Sequence, residues 1–460
     1  MKVYDVIIIG SGQAGTPLAK KLADAGYKTA LIEKKFIGGT CINYGCTPTK
    51  TMIASARSAW LSKNSEFLGV KSSSVFIAFD KIIARKNKIV QSFREGSESN
   101  LKKVKGLDIY FGEAVFTAPK TIRLTADGKK DIILKAEKIF INAGAKPTVP
   151  EIKGIESIKY LDSTTILDLK KIPQHLMIIG GGYIALEIGQ MFRRFGSKIT
   201  IIEQSVQFLS REDIDVASEL KKILEDEGLN ILTGAEIQDL KNNENGDITV
   251  TLRENGKKKT ISGSHILLAT GRTPLSKELN LEAAGVHTDE RGFIKVNNKL
   301  QTNIKGIFAL GDIKGGPAFT HISYNDHLVV FQNLLENKKL SIKNRMVPYC
   351  VFTDPQLGRI GITEKEAIEK GLKYKVALIK MDHVARAIET GDTRGLMKAI
   401  VDPKTKQILG AAIIGTEGGE VMTVLQMAMM GKVTYLEIRN GIFAHPTYSE
   451  SLNNLFMTLD

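Results

Sequence analysis

A glycine motif that occurs twice constrains the fold of this chain more than any other feature. Each copy begins with an apolar run typical of a buried parallel strand, over residues 3–9 and 175–179, and continues into a predicted helix. Between strand and helix lie the small residues of the G-x-G-x-x-G/A fingerprint, namely Gly10, Gly12 and Gly15 in the first copy and Gly180, Gly182 and Ala185 in the second. A second predicted strand then leads to an acid, Glu33 or Glu203, which lies 23 residues after the first glycine in both copies. The identical spacing indicates two copies of one nucleotide-binding unit.

The fingerprint predicts a site for a dinucleotide. Its glycines let a pyrophosphate approach backbone N–H groups at the helix N-terminus, and the acid accepts hydrogen bonds from ribose hydroxyls. Because one such unit binds one dinucleotide, we expect the chain to bind two. Glu203 favours the unphosphorylated 2′-hydroxyl of NADH, although Arg211 lies close enough in sequence to keep NADPH as an alternative.

The stretch from Gly38 to Lys50 contains two of the three cysteines of the chain, Cys41 and Cys46. If they share one helix, their spacing places both side chains on roughly the same side, where a disulfide can form. Lys50 adds a positive charge beside the sulfurs, which is expected to lower the pKa of a cysteine and favour the thiolate. The alternative interpretation is two small buried cysteines in a core helix.

Composition predicts a globular protein with no membrane span and no nucleic-acid partner. A chain of 460 residues suggests two to four domains, with the apolar and charged fractions of a soluble globular protein. Three cysteines do not make a disulfide scaffold, and the N-terminus has no signal-peptide pattern, so we expect a cytoplasmic location. No apolar run reaches about twenty residues, which predicts no membrane span. The net charge of +14 comes from scattered lysines without interleaved aromatic residues, so we expect a solvated basic surface and no nucleic-acid partner.

The remaining segments complete the predicted architecture. Residues 51–104 are expected to be helical, and short strands follow over 109–111, 113–116, 121–125 and 131–135, with a further strand from residue 138. A β-rich stretch follows the second fingerprint, and residues 341–460 mix strands and helices without a fingerprint of their own. The predicted fold is α/β, with two Rossmann-like dinucleotide-binding domains and a C-terminal α+β domain.

Taken in order, these motifs resemble those of the flavin-dependent pyridine nucleotide–disulfide oxidoreductases, which include dihydrolipoamide dehydrogenase, glutathione reductase and mercuric reductase. Besides the two fingerprints, the matching motifs are G-G-T-C-x-x-x-x-C at 38–46, A-T-G-R at 269–272, G-D at 311–312 and H-P-T-x-x-E at 445–450. The resemblance covers essentially the whole chain. It implies an FAD-binding domain over 1–148 and 272–340, an NAD(P)-binding domain over 149–271, and a dimerisation domain over 341–460 that forms a homodimer.

The resemblance also implies roles for individual residues. Cys46 matches the cysteine that contacts the flavin, and Cys41 matches the interchange cysteine that meets the substrate. His445 and Glu450 match an acid–base pair that reaches the disulfide of the other subunit. The implied cofactor contacts are Gly10, Gly12, Gly15, Glu33, Thr40, Lys50, Ala114, Gly144 and Asp312 for FAD, and Gly180, Gly182, Tyr183, Ala185, Glu187, Glu203 and Gly271 for NAD(P). Among these, Lys50 lies near the flavin with Glu187 as its carboxylate partner, and Tyr183 is a gate between flavin and nicotinamide.

Smaller resemblances bear on the substrate. Residues 47–50 and 141–145 resemble mercuric-reductase-like proteins, but the chain ends without the cysteine pair that hands mercury inward in mercuric reductases. The segments 319–323, 347–349, 392–395 and 449–453 resemble bacterial reactive-chlorine-resistance flavoproteins, which are associated with reducing hypothiocyanous acid and handling copper. Cys350 is interpreted as a packed strand residue, with a metal relay as the alternative, and no resident metal site is expected.

Three functional hypotheses remain. The leading one is an NAD(P)H-driven reductase that passes electrons through FAD and a Cys41–Cys46 disulfide to a small thiol-reactive oxidant or metal ion, such as hypothiocyanous acid, Hg(II) or Cu(II). The second is a dihydrolipoamide dehydrogenase that runs the same centre towards NADH. The third, of another class, is a flavoprotein retained as a non-catalytic assembly subunit.

Overall fold

The computed structural model describes residues 1–126, 128 and 130–460. Its strands are β1 (Lys2–Ile9), β2 (Thr29–Glu33), β3 (Leu107–Phe111), β4 (Glu113–Ala118), β5 (Thr121–Thr125), β6 (Ile132–Ile141), β7 (Ala145–Pro147), β8 (His175–Ile179), β9 (Lys198–Ile202), β10 (Leu229–Leu232), β11 (Ala235–Asn242), β12 (Ile248–Glu254), β13 (Lys257–Gly263), β14 (His265–Leu268), β15 (Arg272–Pro274), β16 (Ile307–Ala309), β17 (Tyr349–Val351), β18 (Gln356–Gly361), β19 (Lys375–Lys380), β20 (Leu396–Val401) and β21 (Ile408–Gly415). Its α-helices are α1 (Gly15–Asp24), α2 (Gly39–Tyr44), α3 (Cys46–Lys63), α4 (Phe79–Lys102), α5 (Tyr183–Phe195), α6 (Ile214–Asp226), α7 (Thr320–Leu335), α8 (Glu364–Glu369), α9 (Ala385–Thr390), α10 (Gly418–Met430), α11 (Tyr435–Arg439) and α12 (Ser451–Met457).

The chain packs as two compact units. The first unit comprises Met1–Thr51, Ile83–Thr148 and Gly271–Arg345. The second unit comprises Met52–Ile82, Val149–Thr270 and Met346–Asp460. The division into three domains, with boundaries after residues 148, 271 and 340, stays a prediction.

The first unit is built on a seven-stranded mixed sheet. Its strands lie in the order β3-β2-β1-β6-β5-β4, and β16 also pairs with β6. The strands β3, β2, β1, β6 and β16 pair in parallel, whereas β4, β5 and β6 pair antiparallel. Val6, Ile7 and Ile8 of β1 are fully buried, as expected for a parallel strand that is covered on both faces. The loop that follows β1 therefore begins at the carboxyl edge of the parallel strands, where ligands bind in such sheets.

The second unit contains three sheets. A parallel sheet has the strand order β10-β9-β8-β14, and an antiparallel sheet has the order β11-β12-β13. The third sheet, in the order β17-β18-β21-β20-β19, is antiparallel and carries α10 on one face. β8 ends at Ile179 and α5 begins at Tyr183, so the second glycine loop lies between a parallel strand and a helix, as the fingerprint requires.

The structure confirms the α/β class with two Rossmann-like units and a C-terminal α+β part, and it corrects two details. The strands predicted over 131–135 and from residue 138 are one strand, β6, which lies between β1 and β5. Residues 132–135 pair with β5 and residues 134–141 pair with β1. The helical region predicted over 51–104 is interrupted between α3 and α4, where the only helical turn among residues 64–78 is the 3₁₀ turn Glu66–Leu68. Among the described residues, no helix is both long and apolar enough to cross a membrane.

Candidate active site

The two cysteines of the 38–50 stretch lie on different helices. Cys41 is in α2, Cys46 is the first residue of α3, and Gly45 breaks the path between them with φ −129° and ψ −113°. The premise of one shared helix is therefore wrong. A Cβ at position 45 would lie 3.0 Å from the carbonyl oxygen of Thr40, so the break favours glycine. The two side chains still meet across the break, because the free thiols of Cys41 and Cys46 are hydrogen-bonded to each other.

The surroundings of Cys41 raise its proton affinity. The hydrogen bond with Cys46 raises the pKa of Cys41 most, burial raises it further, and Thr320 and Lys50 oppose the rise. The expected effect of Lys50 is therefore present at Cys41 but is outweighed. The sulfur of Cys46 lies 3.3 Å from the hydroxyl of Thr320. Thr320 begins α7, a helix of 16 residues whose N-terminal dipole favours negative charge nearby.

Asn142 fills the space next to the first glycine loop. Gly10 has φ +97°, and a Cβ there would lie 2.3 Å from the carbonyl oxygen of Asn142. A Cβ at Gly12 would lie 2.9 Å from Oδ1 of Asn142. That oxygen accepts a hydrogen bond from the N–H of Gly15 at 2.9 Å, and Nδ2 of Asn142 donates to the carbonyl of Leu310 at 3.0 Å. Positions 10 and 12 therefore have no room for a side chain.

Sequence reasoning assigned no role to Asn142. Its side chain is 7% exposed and holds the first loop through two hydrogen bonds, so it is a functional residue that the prediction missed. The one signal in the sequence is a polar residue directly after the apolar end of a strand and before Ala143-Gly144.

Glu33 organises the same loop from the end of β2. Its carboxylate accepts hydrogen bonds from the N–H of Ser11 at 3.0 Å, the hydroxyl of Ser11 at 2.6 Å and the N–H of Lys35 at 2.9 Å. An acid beside the glycine loop is what recognition of a ribose in this unit requires.

The second glycine loop repeats this arrangement in a more open form. Gly180 also has φ +97°, and a Cβ there would lie 2.6 Å from the carbonyl oxygen of Ala269. Glu203 accepts hydrogen bonds from the N–H groups of Gly181 at 2.6 Å and Ser205 at 2.7 Å. A Cβ at Gly182, by contrast, would meet no atom within 4 Å. Of the three helical residues predicted to contact NAD(P), Tyr183 is half-buried, and Ala185 and Glu187 are buried.

The other residues predicted to contact FAD all lie in the first unit. Asp312 lies on the 3₁₀ helix Gly311–Lys314, with Nε of Arg272 at 3.7 Å from its carboxylate. Burial raises the pKa of Asp312, and the charges of Arg272 and Lys314 oppose this rise. Thr40 precedes Cys41 in α2, and Ala114 is buried in β4. Gly144 has φ +76° and Gly271, predicted as an NAD(P) contact, has φ +110°; both have open space where a Cβ would stand.

These features fit an FAD in the first unit. The glycine loop leaves its backbone accessible at the start of α1, Glu33 supplies a carboxylate beside it, and the half-buried Asp312 supplies an acceptor for a hydroxyl group. The second unit provides the same loop and acid at Gly180 and Glu203, which fits a second dinucleotide.

Two further predicted pairs involve carboxylates. His445 and Glu450, both in the second unit, form the predicted pair, because Nδ1 of the histidine lies 2.9 and 3.0 Å from the two carboxylate oxygens. Glu187 and its predicted partner Lys50 belong to different units. Within the second unit, Glu187 is 4% exposed and accepts a hydrogen bond from the N–H of Phe352 at 2.9 Å.

Comparisons with known proteins agree with this site. Residues 4–326 match the family described as pyridine nucleotide-disulphide oxidoreductase, and residues 347–456 match the dimerisation domain of that family. The chain is 39% identical over 461 residues to the probable pyridine nucleotide-disulfide oxidoreductase RclA of Escherichia coli K12, covering 99% of each chain. It is 34% identical to a Staphylococcus aureus mercuric reductase, covering 99% of this chain and 82% of the relative. It is 33% identical to the dihydrolipoyl dehydrogenase of Geobacillus stearothermophilus, covering 97% and 94%.

A solved structure shares the whole architecture. The Cu(II) complex of the HOCl-induced flavoprotein disulfide reductase RclA from Escherichia coli matches with a TM-score of 0.91 at 38% identity, over 100% of both chains. The expected use of FAD with NADH or NADPH, the redox-active disulfide and the homodimer are confirmed by these matches. This chain belongs to the pyridine nucleotide–disulphide oxidoreductase family, as an enzyme that uses FAD and a nicotinamide nucleotide.

Proposed function

We propose that this enzyme transfers electrons from NADH, through Cys41 and Cys46, to a small thiol-reactive oxidant. Hypothiocyanous acid is the leading candidate for this acceptor. The observation that carries the proposal is the pair of thiols that meet across the Gly45 break, with the sulfur of Cys46 3.3 Å from the hydroxyl of Thr320. Such a pair can close to a disulfide and be opened again by two electrons. When bound, FAD supplies the route by which electrons reach this pair from the nicotinamide nucleotide.

Cys41 and Cys46 each carry out one step in the reduction of the acceptor. The sulfur of Cys41 attacks the sulfur of hypothiocyanous acid, and the hydroxyl leaves as water with the proton of the thiol. The thiolate of Cys46 then displaces thiocyanate from Cys41 and closes the disulfide. One dithiol and one hypothiocyanous acid thus give one disulfide, thiocyanate, water and a proton. A small acceptor of this kind requires only that one thiol be reached.

A proton must leave Cys41 before it attacks, because its pKa is raised. His445 is the group that we assign to this task, in the site of the partner subunit, with Glu450 orienting its ring through Nδ1 and stabilising its charged form. This role suits the exposed position of the ring, since 67% of the His445 side chain is accessible in the single chain. Lys50 and Glu187 are proposed as the pair beside the flavin, and Tyr183 as the gate at the nicotinamide nucleotide.

The choice of acceptor follows the relatives. The relative RclA is 39% identical and is described as HOCl-induced, whereas the dihydrolipoyl dehydrogenase is 33% identical. This ordering supports an oxidant acceptor over dihydrolipoamide. A metal ion, Hg(II) or Cu(II), is the second candidate, because a mercuric reductase is 34% identical and RclA has been solved with Cu(II). A cytoplasmic location, where NADH is available, is part of the proposal.

The test compares acceptors with one enzyme preparation. Initial rates of NADH oxidation by the FAD-loaded dimer are measured with hypothiocyanous acid, lipoamide and a mercuric salt in one buffer. We expect fast turnover with hypothiocyanous acid and a loss of about 1000-fold or more in Cys41→Ser, because the attacking atom is removed. Cys350→Ser is the matched control and should keep the wild-type rate. Fast turnover with lipoamide alone would contradict the proposal and support a dehydrogenase.

A further inference from the structure

The helix that carries Cys41 is held by a buried asparagine. Asn43 lies two residues after Cys41 in α2 and is 7% exposed. Its Nδ2 donates hydrogen bonds to the carbonyls of Ile37 at 3.0 Å and Gly39 at 2.9 Å. Both acceptors lie at the entry to α2, so the side chain of Asn43 ties the helix to the segment that leads into it.

The same asparagine is held in turn by Arg94 of α4. Nε of Arg94 donates a hydrogen bond to Oδ1 of Asn43 at 2.7 Å, and its guanidinium carbon lies 3.8 Å from the ring centroid of Phe36. Phe36 directly precedes Ile37, so one arginine binds both ends of the Phe36–Asn43 segment. The planar guanidinium can make the directed bond and the stacking contact together, which the ammonium group of lysine cannot.

The need for such an anchor follows from the length of α2. It has six residues, no side chain caps its N-terminus, and glycines lie at both of its ends. A helix this short is unstable without tertiary contacts. Cys46, by contrast, begins a helix of 18 residues. Of the two cysteines, Cys41 is therefore the one whose position depends on outside support.

We propose that Arg94 is a positioning residue that acts through Asn43 to hold Cys41 within reach of Cys46, and thereby stabilises the disulfide against the dithiol. The inference rests on the proposed function, in which this pair cycles between the two states. A disulfide requires a narrow range of separations between its two Cα atoms. When α2 is loosened, the effective concentration of the Cys41 thiol at Cys46 falls, and the disulfide becomes easier to reduce.

The experiment measures the disulfide–dithiol equilibrium directly. The FAD-loaded dimer is equilibrated in buffers of reduced and oxidised dithiothreitol, in which two electrons and two protons convert the Cys41–Cys46 disulfide into two thiols. The dithiol fraction is read by thiol alkylation and mass spectrometry. In Arg94→Ala, loss of a charge-assisted hydrogen bond is expected to lower the effective concentration about tenfold. A tenfold change corresponds to a potential about 30 mV less negative for a two-electron couple.

Control variants separate positioning from charge and from general damage. Arg85 lies on the same helix and donates to the carbonyl of Thr51 at 3.0 Å, so Arg85→Ala should leave the potential unchanged. Arg94→Lys keeps the charge but loses the planar guanidinium, which bonds to Asn43 and stacks on Phe36 together. It should therefore shift the potential nearly as far as Arg94→Ala. Asn43→Ala combined with Arg94→Ala should shift it no further than Asn43→Ala alone, because both residues act on one contact.

The outcomes distinguish this inference from the function on which it rests. If wild-type Cys41 and Cys46 exchange no electron pair with the buffer, the proposed function fails. If they do, and Arg94→Ala has the wild-type potential, the positioning role is wrong. A wild-type potential in Arg94→Lys would also overturn the inference, because charge alone would then suffice. Should Arg94→Ala not fold with full FAD content, Arg94→Gln carries the same test.

Discussion

The two glycine loops share a backbone conformation but differ in the residue that lies beneath them. Gly10 and Gly180 both have φ +97°. Each stands over the first residue after a neighbouring parallel strand, Asn142 in the first unit and Ala269 in the second. These two residues are equivalent in register, because the N–H of Asn142 donates to Ile9 at 2.7 Å and the N–H of Ala269 donates to Ile179 at 2.8 Å.

The difference between the side chains changes the character of the loops. Asn142 extends into the first loop, bonds to the N–H of Gly15 and closes the space above Gly12. Ala269 has no side chain that could do this, and the space at Gly182 is open. A loop fixed in advance loses little entropy when a ligand binds. The first loop therefore suits a cofactor that stays, and the second suits a nucleotide that enters and leaves in every cycle.

The largest effect should come from filling the closed loop. Gly12→Ala places a Cβ 2.9 Å from Oδ1 of Asn142, so the side chain must move and break its bond to Gly15. We expect FAD affinity to fall at least about 100-fold, from overpacking together with a lost buried hydrogen bond. Gly182→Ala, at the equivalent position, should keep full FAD content and raise only the KM for NADH. FAD content by absorbance checks this, and equal FAD loss in both variants would refute the contrast.

The next largest effect is a loss of stability of the first unit at low pH, caused by a buried histidine. His327 of α7 is fully buried, and burial lowers its pKa to about 4, with Lys21 adding to the effect and the Tyr324 backbone and Asp326 opposing it. Below pH 6.5 the unfolded chain binds a proton that the folded chain binds only near pH 4, so stability is lost as the pH falls through this window. Over the whole window this costs up to about 3 kcal/mol.

The variant His327→Phe removes this cost. Urea unfolding followed by FAD fluorescence at pH 7 and pH 4.5 should show a smaller loss of stability in the variant than in the wild type. His383→Phe, which changes an exposed histidine, is the control and should behave as wild type. An unchanged pH dependence in His327→Phe would show that other groups govern the acid sensitivity of this unit.

Replacing Asn142 by the alanine found at the equivalent position of the second loop should weaken FAD binding less than Gly12→Ala does. Asn142→Ala leaves the N–H of Gly15 without its acceptor and gives position 142 the residue that the second unit has at position 269. We expect FAD to bind about 2 kcal/mol more weakly, which is about 30-fold, and the KM for NADH to stay the same. Fluorescence titration of the apoprotein with FAD measures the change. Wild-type FAD affinity would mean that Asn142 shapes the loop without stabilising the bound state.

Local patterns in the sequence predicted the loops but not what closes them. β8, the end of α5 and β9 lie where the fingerprint placed them, because strand, glycine turn and helix are encoded within a few residues. The contact of Asn142 with Gly15 spans 127 residues, and that of Arg94 with Asn43 spans 51. Such pairs depend on how distant elements pack, so the sequence can mark Asn142 as a polar residue after a strand but cannot identify the partner of either side chain.

The cysteine stretch shows the same limit at short range. The pairing of Cys41 with Cys46 was predicted, but on the premise of one helix. The backbone turns at Gly45 instead, since a side chain there would crowd the carbonyl of Thr40. The rise in the pKa of Cys41 was also missed, because it comes from the sulfur of Cys46 and from burial, whereas the sequence displayed only the nearby charge of Lys50.

The smallest effect concerns the acids, which both loops have in equivalent positions. Glu203→Ala removes the carboxylate expected to bind the 2′-hydroxyl of NADH, so the ratio of kcat/KM for NADH over NADPH should fall about tenfold. Glu33→Ala is the matched change in the first unit and should lower FAD content without altering that ratio. Glu33 also accepts a hydrogen bond from Ser11 of its own loop, and Glu203 accepts one from Gly181 of its own loop. Each variant therefore loosens a loop, and the ratio for NADH over NADPH is the readout that only Glu203→Ala should change. An unchanged ratio in Glu203→Ala would move nucleotide selection to another residue, with Arg211 the first to test.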